Sequence, residues 1–174
     1  NIGAGSFEQG DSSGIADEYR REECFQKPDG TYDWTKQQGQ QWFLNAAKQR
    51  GVKYLLGFAV SPPVQMTING KAYGMGTPQF SLKPSMFNDY ADFLVQVCKH
   101  FQSSNTPLDY LSPVNEPQWN WGSSPSQEGT AASNTDIANL VKILGPGLQS
   151  NGVNTKIEVG EAGQVNFLST ATTD

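Results

Sequence analysis

Each long loop of this chain follows an apolar run that could form a strand, whereas each helical stretch reaches the next strand through a short link. That asymmetry constrains the fold more than any other feature. Residues 1–5 read as the end of a strand running into the glycine turn at Gly3-Ala4-Gly5, and a loop follows to about Asp33. Residues 33–50 read as a helix with Trp42, Phe43, Ala46 and Ala47 on one side and Gly51 as its stop. The nearly continuous apolar run 52–60 reads as a strand covered on both faces, followed by a loop over 61–84. Phe87, Tyr90, Ala91, Leu94, Val97, Cys98 and Phe101 repeat at i, i+3, i+4, i+7 and predict a helix over 86–102. A strand over 108–114 comes next. Ser133 and Asp136 then form a capping-box start for a helix that buries Ile137, Leu140, Val141 and Leu144 and ends at Gly145-Pro146. Residues 156–159 give a last short strand, meeting Gly160-Glu161-Ala162-Gly163.

The alternation of strand and helix predicts a parallel sheet. Long loops after the strands favour a (β/α)8 barrel, whose active site is built from loops at the strands' C-terminal ends. The rival is a doubly wound nucleotide-binding sheet. It lacks support, because no G-x-G-x-x-G follows a strand and no G-x-x-x-x-G-K-[ST] occurs. Four strands and three helices amount to about half of an eightfold barrel. The expected fold is therefore α/β, a partial (β/α)8 TIM barrel. Residues 1–174 are expected to form one incomplete catalytic domain, an interior slice of a larger protein.

The residues that carry chemistry stand where the strand over 108–114 stops. Ser112-Pro113-Val114-Asn115-Glu116-Pro117-Gln118-Trp119-Asn120 places a carboxylic acid and an amide at a strand end. Pro117 prevents continuation of the strand, since it lacks an N–H and fixes φ. Trp119 and Trp121 follow with flat apolar faces. Cleavage of a sugar linkage needs an acid that protonates the departing oxygen, and groups that hold the ring in register with it. A polar turn after a buried strand is the bland alternative.

Composition excludes other chemistries. Lys and Arg total 12, never cluster, and sit in a chain of net charge −5, so nothing is built for a nucleic-acid backbone. No apolar stretch approaches the roughly 20 residues that span a bilayer. No signal peptide is expected, since Asn1 opens directly on Ile2-Gly3-Ala4-Gly5. Cys24 and Cys98 form no disulfide framework and lack metal-ligand spacing, and Cys98 reads as a buried free thiol. The single histidine, His100, disfavours Ser-His-Asp, Cys-His and multi-histidine metal chemistry.

The motif 112–121 resembles the acid/base strand of glycoside hydrolase family 30, a family of retaining (β/α)8 hydrolases. Three further stretches fit the same order. Asn1-Ile2-Gly3-Ala4-Gly5 resembles the end of the second barrel strand. Ser61-Pro62-Pro63 and the residues to Gly70 resemble the loop after the third, and Glu161-Ala162-Gly163 sits where the fifth should end. Asn115 to Trp119, Gln127-Glu128-Gly129 and the tryptophan-free Ser-Pro-Pro loop resemble the endo-β-1,6-galactanase type. Many relatives carry a tryptophan at the position of Val60, which argues against glucosylceramidase- or xylanase-like specificity.

The resemblance implies Glu116 as the general acid/base, with a nucleophile on the seventh strand, outside this chain. It implies that Asn115 hydrogen-bonds the sugar 2-hydroxyl, and that Ser61 and Glu161 shape the substrate site. Trp119 is the preferred stacking residue; Trp121 reads equally as core. Glu128 reads either as a distal sugar ligand or as an exposed loop carboxylate, while Asp11, Glu18, Glu22 and Glu23 read as a solvated loop face. The implied activity is endo-hydrolysis of β-1,6-linked galactan. The alternatives are xylan, β-glucan or glycolipid cleavage, or glycan binding without catalysis. No metal and no cofactor is required. The expected partners are a polysaccharide or oligosaccharide substrate and the remainder of the barrel. The substrate class places the protein in a secreted, periplasmic or cell-surface setting.

Overall fold

The computed structural model describes residues 1–122 and 126–170. Three short strands, β1 (Leu56–Phe58), β2 (Tyr110–Ser112) and β3 (Lys156–Ile157), form a parallel sheet in the order β1-β2-β3. Leu56, Gly57 and Phe58 lie opposite Tyr110, Leu111 and Ser112, and Tyr110 and Leu111 lie opposite Lys156 and Ile157. Ile2 extends the sheet beyond β1 through a parallel bridge to Ala59, its N–H donating to the Phe58 carbonyl at 2.8 Å. Neighbours in space are thus neighbours in the chain, with no reversal of strand order of the kind that defines a doubly wound sheet.

The run 52–60 pairs over a shorter stretch than its apolarity suggests. Leu55 starts the sheet by receiving the Asp109 carboxylate on its N–H at 2.8 Å. Val52 and Tyr54 remain exposed at 45% and 66%.

A one-turn helix α1 (Ser6–Gln9) follows the turn at Gly3-Ala4-Gly5. Helix α2 (Gln38–Gln49) starts later than residue 33, because Asp33 is taken up by a turn in which its carboxylate accepts from the Thr35 N–H at 3.1 Å and its hydroxyl at 2.6 Å. Trp42 and Phe43 do not face the core; they are 62% and 68% exposed and pack against each other, while Leu44 and Ala47 meet the sheet side in part.

Helix α3 (Phe87–Ser103) follows the predicted periodicity, burying Tyr90, Ala91, Leu94, Val97, Cys98 and Phe101. Helix α4 (Asn134–Ser150) opens on the expected capping box of Ser133 and Asp136. It runs through Gly145-Pro146 instead of stopping there. Leu140, Leu144 and Leu148 are all buried at i, i+4 spacing, and that stripe holds the helix past a proline whose missing N–H would otherwise end it. Gly147 lets α4 approach α3, since a Cβ there would sit 3.2 Å from the Val95 methyl. Beyond β3 the chain forms the short helix α5 (Val165–Thr170).

The core joins α3, α4 and the strands through Phe93, Leu94, Leu111, Leu140 and Leu144. The buried Tyr90 hydroxyl donates to the Pro113 carbonyl at 2.8 Å and ties α3 to the segment that leaves β2. Cys24 and Cys98 are both buried free thiols, and burial raises each to about 12. No helix among the described residues is long and apolar enough to cross a membrane.

Candidate active site

Because the strands are parallel, the segments that follow them emerge at one edge of the sheet: the turn at Gly3-Ala4-Gly5, Ser61 after β1, Glu116 after β2 and Glu161 after β3. The layer is stitched by main-chain bonds. Ala59 N–H donates to the Ser112 carbonyl at 2.9 Å, Asn115 N–H to Ala59 at 3.0 Å, and Val64 N–H to Ala4 at 3.1 Å.

Glu116 has a left-handed backbone, φ 45°, rare for a residue with a Cβ. Pro117 bars the ordinary helical region to the residue before it, which leaves extended or left-handed geometry. The left-handed choice is held by two donors on the Glu116 carbonyl, the Trp119 N–H and the Trp121 indole Nε1–H, each at 3.0 Å. Such conformations cost of order 1–3 kcal/mol and cluster where function stores strain.

The Glu116 carboxyl lies against the turn after β3. A Cβ built on Gly163 would fall 2.9 Å from Glu116 Oε1, so the carboxyl reaches the backbone of that turn. The same turn brings Glu161, whose Oε2 is buried without a hydrogen-bond partner, as is Oε2 of Glu158. Burial, and then the charge of Glu161, raise the Glu158 carboxyl above its ordinary value. Glu158 escapes a sequence reading because it looks like one more residue of a short strand. Trp119 is 40% exposed, its ring edge-on to Phe167 at 6.1 Å, whereas Trp121 is 8% exposed and packs inward. Ser61 is buried, and its hydroxyl has no hydrogen-bond partner.

Glu128 corrects both sequence readings: it is neither exposed nor open to a sugar, being 2% exposed. Its oxygens accept from the Ala4 N–H at 2.7 Å and the Ser6 N–H at 2.8 Å. Burial pushes its carboxyl up to about 7, against the pull of those donors. The partners lie 122 and 124 residues away in the chain, beyond any local pattern. The acidic loop is only in part solvated. Asp11 pairs with Arg21 at 2.8 Å on the surface, but Glu23 accepts from the Lys36 ammonium and the Gln37 backbone. Glu22 is raised by burial and accepts from the Asn1 amide.

A broad cleft of about 730 Å3 lies apart from Glu116, lined by Tyr19, Arg20, Glu22, Gln37 and Phe43 among others. It contains none of the strand-end residues. Among the described residues no cluster of His, Cys, Asp and Glu could hold a metal ion.

This edge has the composition of a carbohydrate-processing site: a strained glutamate at the end of β2, two further carboxylates, Glu158 and Glu161, just past β3, and a partly exposed tryptophan. The O-glycosyl hydrolase family 30 model matches residues 1–174, and the chain belongs to that family. The fold is the mixed α/β fold of family 30 catalytic domains, which are of the TIM-barrel type. A conserved exported protein from Bacteroides fragilis matches with a TM-score of 0.92 and 38% identity over 97% of this chain and 34% of its own. The catalytic domain of the family 30 xylanase C from Talaromyces cellulolyticus matches with a TM-score of 0.66 and 25% identity, over 83% of this chain and 36% of its own. The subfamily 8 xylanase Xyn30A from Clostridium acetobutylicum matches with a TM-score of 0.63 and 25% identity, over 75% of this chain and 31% of its own. The chain thus spans about a third of the length of these structures. Among curated proteins none matches it.

Proposed function

We propose that this chain carries the acid/base half of a retaining endo-glycoside hydrolase acting on β-1,6-linked galactan. Glu116 protonates the departing oxygen, and later takes a proton from the water that releases the sugar. One observation carries the reading. Glu116 stands at the C-terminal edge of a parallel sheet in strained geometry, its carboxyl against the turn after the next strand. Asn115 serves the sugar 2-hydroxyl, Trp119 offers its exposed face for stacking, and Ser61 and Glu161 complete the substrate side. The nucleophile lies outside these residues, on a later strand.

The fold in this reading is about half of a (β/α)8 barrel, with residues 1–174 part of one catalytic domain. Support comes from strands that follow one another in chain order without reversal, and from matches that cover a third of their partners. The galactan assignment rests on the motif at 115–119, on Gln127-Glu128-Gly129 and on Val60 in place of a tryptophan. Xylan is the second reading, favoured by two xylanases among the matching structures. β-Glucan, glycolipid and catalysis-free glycan binding follow behind. An exported relative supports action outside the cytoplasm.

The test uses the full-length protein that contains this segment, assayed on β-1,6-galactan, xylan and β-1,6-glucan. Glu116→Gln keeps the shape and removes the proton, so hydrolysis of the preferred polymer should fall about 10²–10⁴-fold. An aryl glycoside with a good leaving group should suffer less. Undiminished hydrolysis of the polymer would remove Glu116 from the mechanism, and preference for xylan would replace the galactan assignment.

A further inference from the structure

Glu128 is the one acidic residue among the described residues that is buried as a whole, at 2% exposure, and no lysine or arginine pairs with it there. The charges nearest to it are unhelpful, since Glu22 adds to the cost of its ionisation. A carboxyl group kept in such a place is expensive unless its oxygens are well used.

They are used on one structure. Ala4 N–H and Ser6 N–H flank Gly5, whose φ of 102° turns both donors toward the same side chain. The next residue, Gly129, donates its N–H to the Ala72 carbonyl at 3.1 Å and lies against the Trp121 indole. A Cβ at Gly129 would come within 2.3 Å of the Trp121 ring carbons, so backbone and indole are in full contact. The same indole donates to the Glu116 carbonyl at 3.0 Å. Ala132 N–H closes the loop on the Pro117 carbonyl, also at 3.0 Å.

We propose that Glu128 is a positioning residue for Glu116. It clamps the turn at residues 4–6 to the returning arm of the loop that leaves β2, and that arm presses Trp121 onto the Glu116 backbone and aims its carboxyl. The inference rests on Glu116 being the acid/base. Glutamine cannot replace the clamp: its amide offers one acceptor oxygen and sets N–H against N–H at the other donor. One of two buried backbone donors then loses its partner.

The experiment compares Glu128→Gln, Glu128→Asp and Trp121→Phe in the full-length protein. The substrates are whichever of β-1,6-galactan, xylan and β-1,6-glucan the parent cleaves fastest, and an aryl glycoside with a good leaving group. A misaimed acid slows the polymer, where protonation matters, more than the activated glycoside. A smaller folded fraction slows both by one factor. For Glu128→Gln the expected fall in kcat on the polymer is about 10–10²-fold, with the aryl glycoside within about threefold of the parent. Trp121→Phe keeps one aromatic ring beside Gly129 but removes the N–H together with the rest of the pyrrole ring, and should show the same pattern at about 3–10-fold. Equal losses on both substrates, or none on either, overturn the inference. If Glu128→Gln is not recovered folded, Glu128→Asp and Trp121→Phe decide it by the same ratio. Glu116→Gln run alongside separates the two readings: if it shows no leaving-group dependence, the acid assignment itself has failed. If it does and the Glu128 variants do not, only the clamp falls.

Discussion

The two flanks of the sheet treat their helices differently. On the α3–α4 flank, Phe93, Leu94, Val97, Cys98, Leu140 and Leu144 are exposed by 1% or less. On the α2 flank no residue of the helix is buried, and Trp42, Phe43, Tyr54 and Leu56 are exposed by 42–68%. Composition does not explain this, because α2 carries larger apolar side chains than α4 does. Position does. Each of α3 and α4 has the other as neighbour, joined at Gly147 and Val95, whereas Trp42 and Phe43 on α2 pack on each other and stay open to solvent. An apolar stripe is buried only when a layer exists to receive it, and of α2 Leu44 and Ala47 pack in part against the core while Trp42 and Phe43 stay exposed.

The contrast breaks most visibly at Leu94, which has no exposed surface. Leu94→Ala should cost about 2–5 kcal/mol through lost transfer energy and the cavity left behind. A urea unfolding midpoint near that of the parent would mean that the α3–α4 flank is loosely packed after all.

A second effect separates buried from exposed carboxylates. The Glu128 carboxyl sits at about 7 in the folded chain against an ordinary 4.5. Between those values the folded state holds a proton that the unfolded chain has released. Stability is therefore full below the lower pH and falls as pH rises toward the upper one, by about 3 kcal/mol in all. Unfolding free energies measured from pH 4 to pH 8 should show that decline relative to Glu128→Gln, which has no proton to lose. Parallel curves for parent and variant would contradict it.

A smaller effect comes from the α4 cap. Ser133 Oγ accepts from the Asp136 N–H at 3.1 Å, and the Asp136 carboxylate answers on the Ser133 N–H at 3.2 Å. Ser133→Ala should cost about 1 kcal/mol. The N-cap of α2, Gln37, makes no side-chain capping bond to its own helix, so Gln37→Ala should act on α2 only through the Glu23 carbonyl that its amide contacts.

What the sequence made legible follows the range of the interaction. The α3 periodicity and the Ser133–Asp136 box are local, and both stand as read. The parallel order was legible because alternation and loop length are properties of whole segments. The course of α4 past Pro146 was not, because Leu148 is buried in the core that α4 shares with α3 and the strands, which no pattern within α4 reveals. The inward turn of Glu128 was hidden for the same reason, its donors belonging to the first residues of the chain. Trp42 and Phe43 mislead in the opposite direction: their spacing marks a face correctly, but spacing says nothing of whether that face is covered.

The smallest expected effect therefore bears most directly on the comparison. In the 174-residue chain Phe43 is 68% exposed, touching Trp42 edge to face at 5.0 Å. Truncating an exposed side chain away from caps and networks changes stability by about 0.5 kcal/mol or less. Phe43→Ser should leave the urea midpoint of this chain nearly unchanged while lowering its light scattering at high concentration, since an exposed aromatic patch drives self-association. In a longer protein that supplies a layer over α2, the same substitution should cost about 3–5 kcal/mol, as for an aromatic lost from a core. Equal costs in the two contexts would show that α2 faces solvent by nature, and the difference between the flanks would then belong to this fold and not to an uncovered layer.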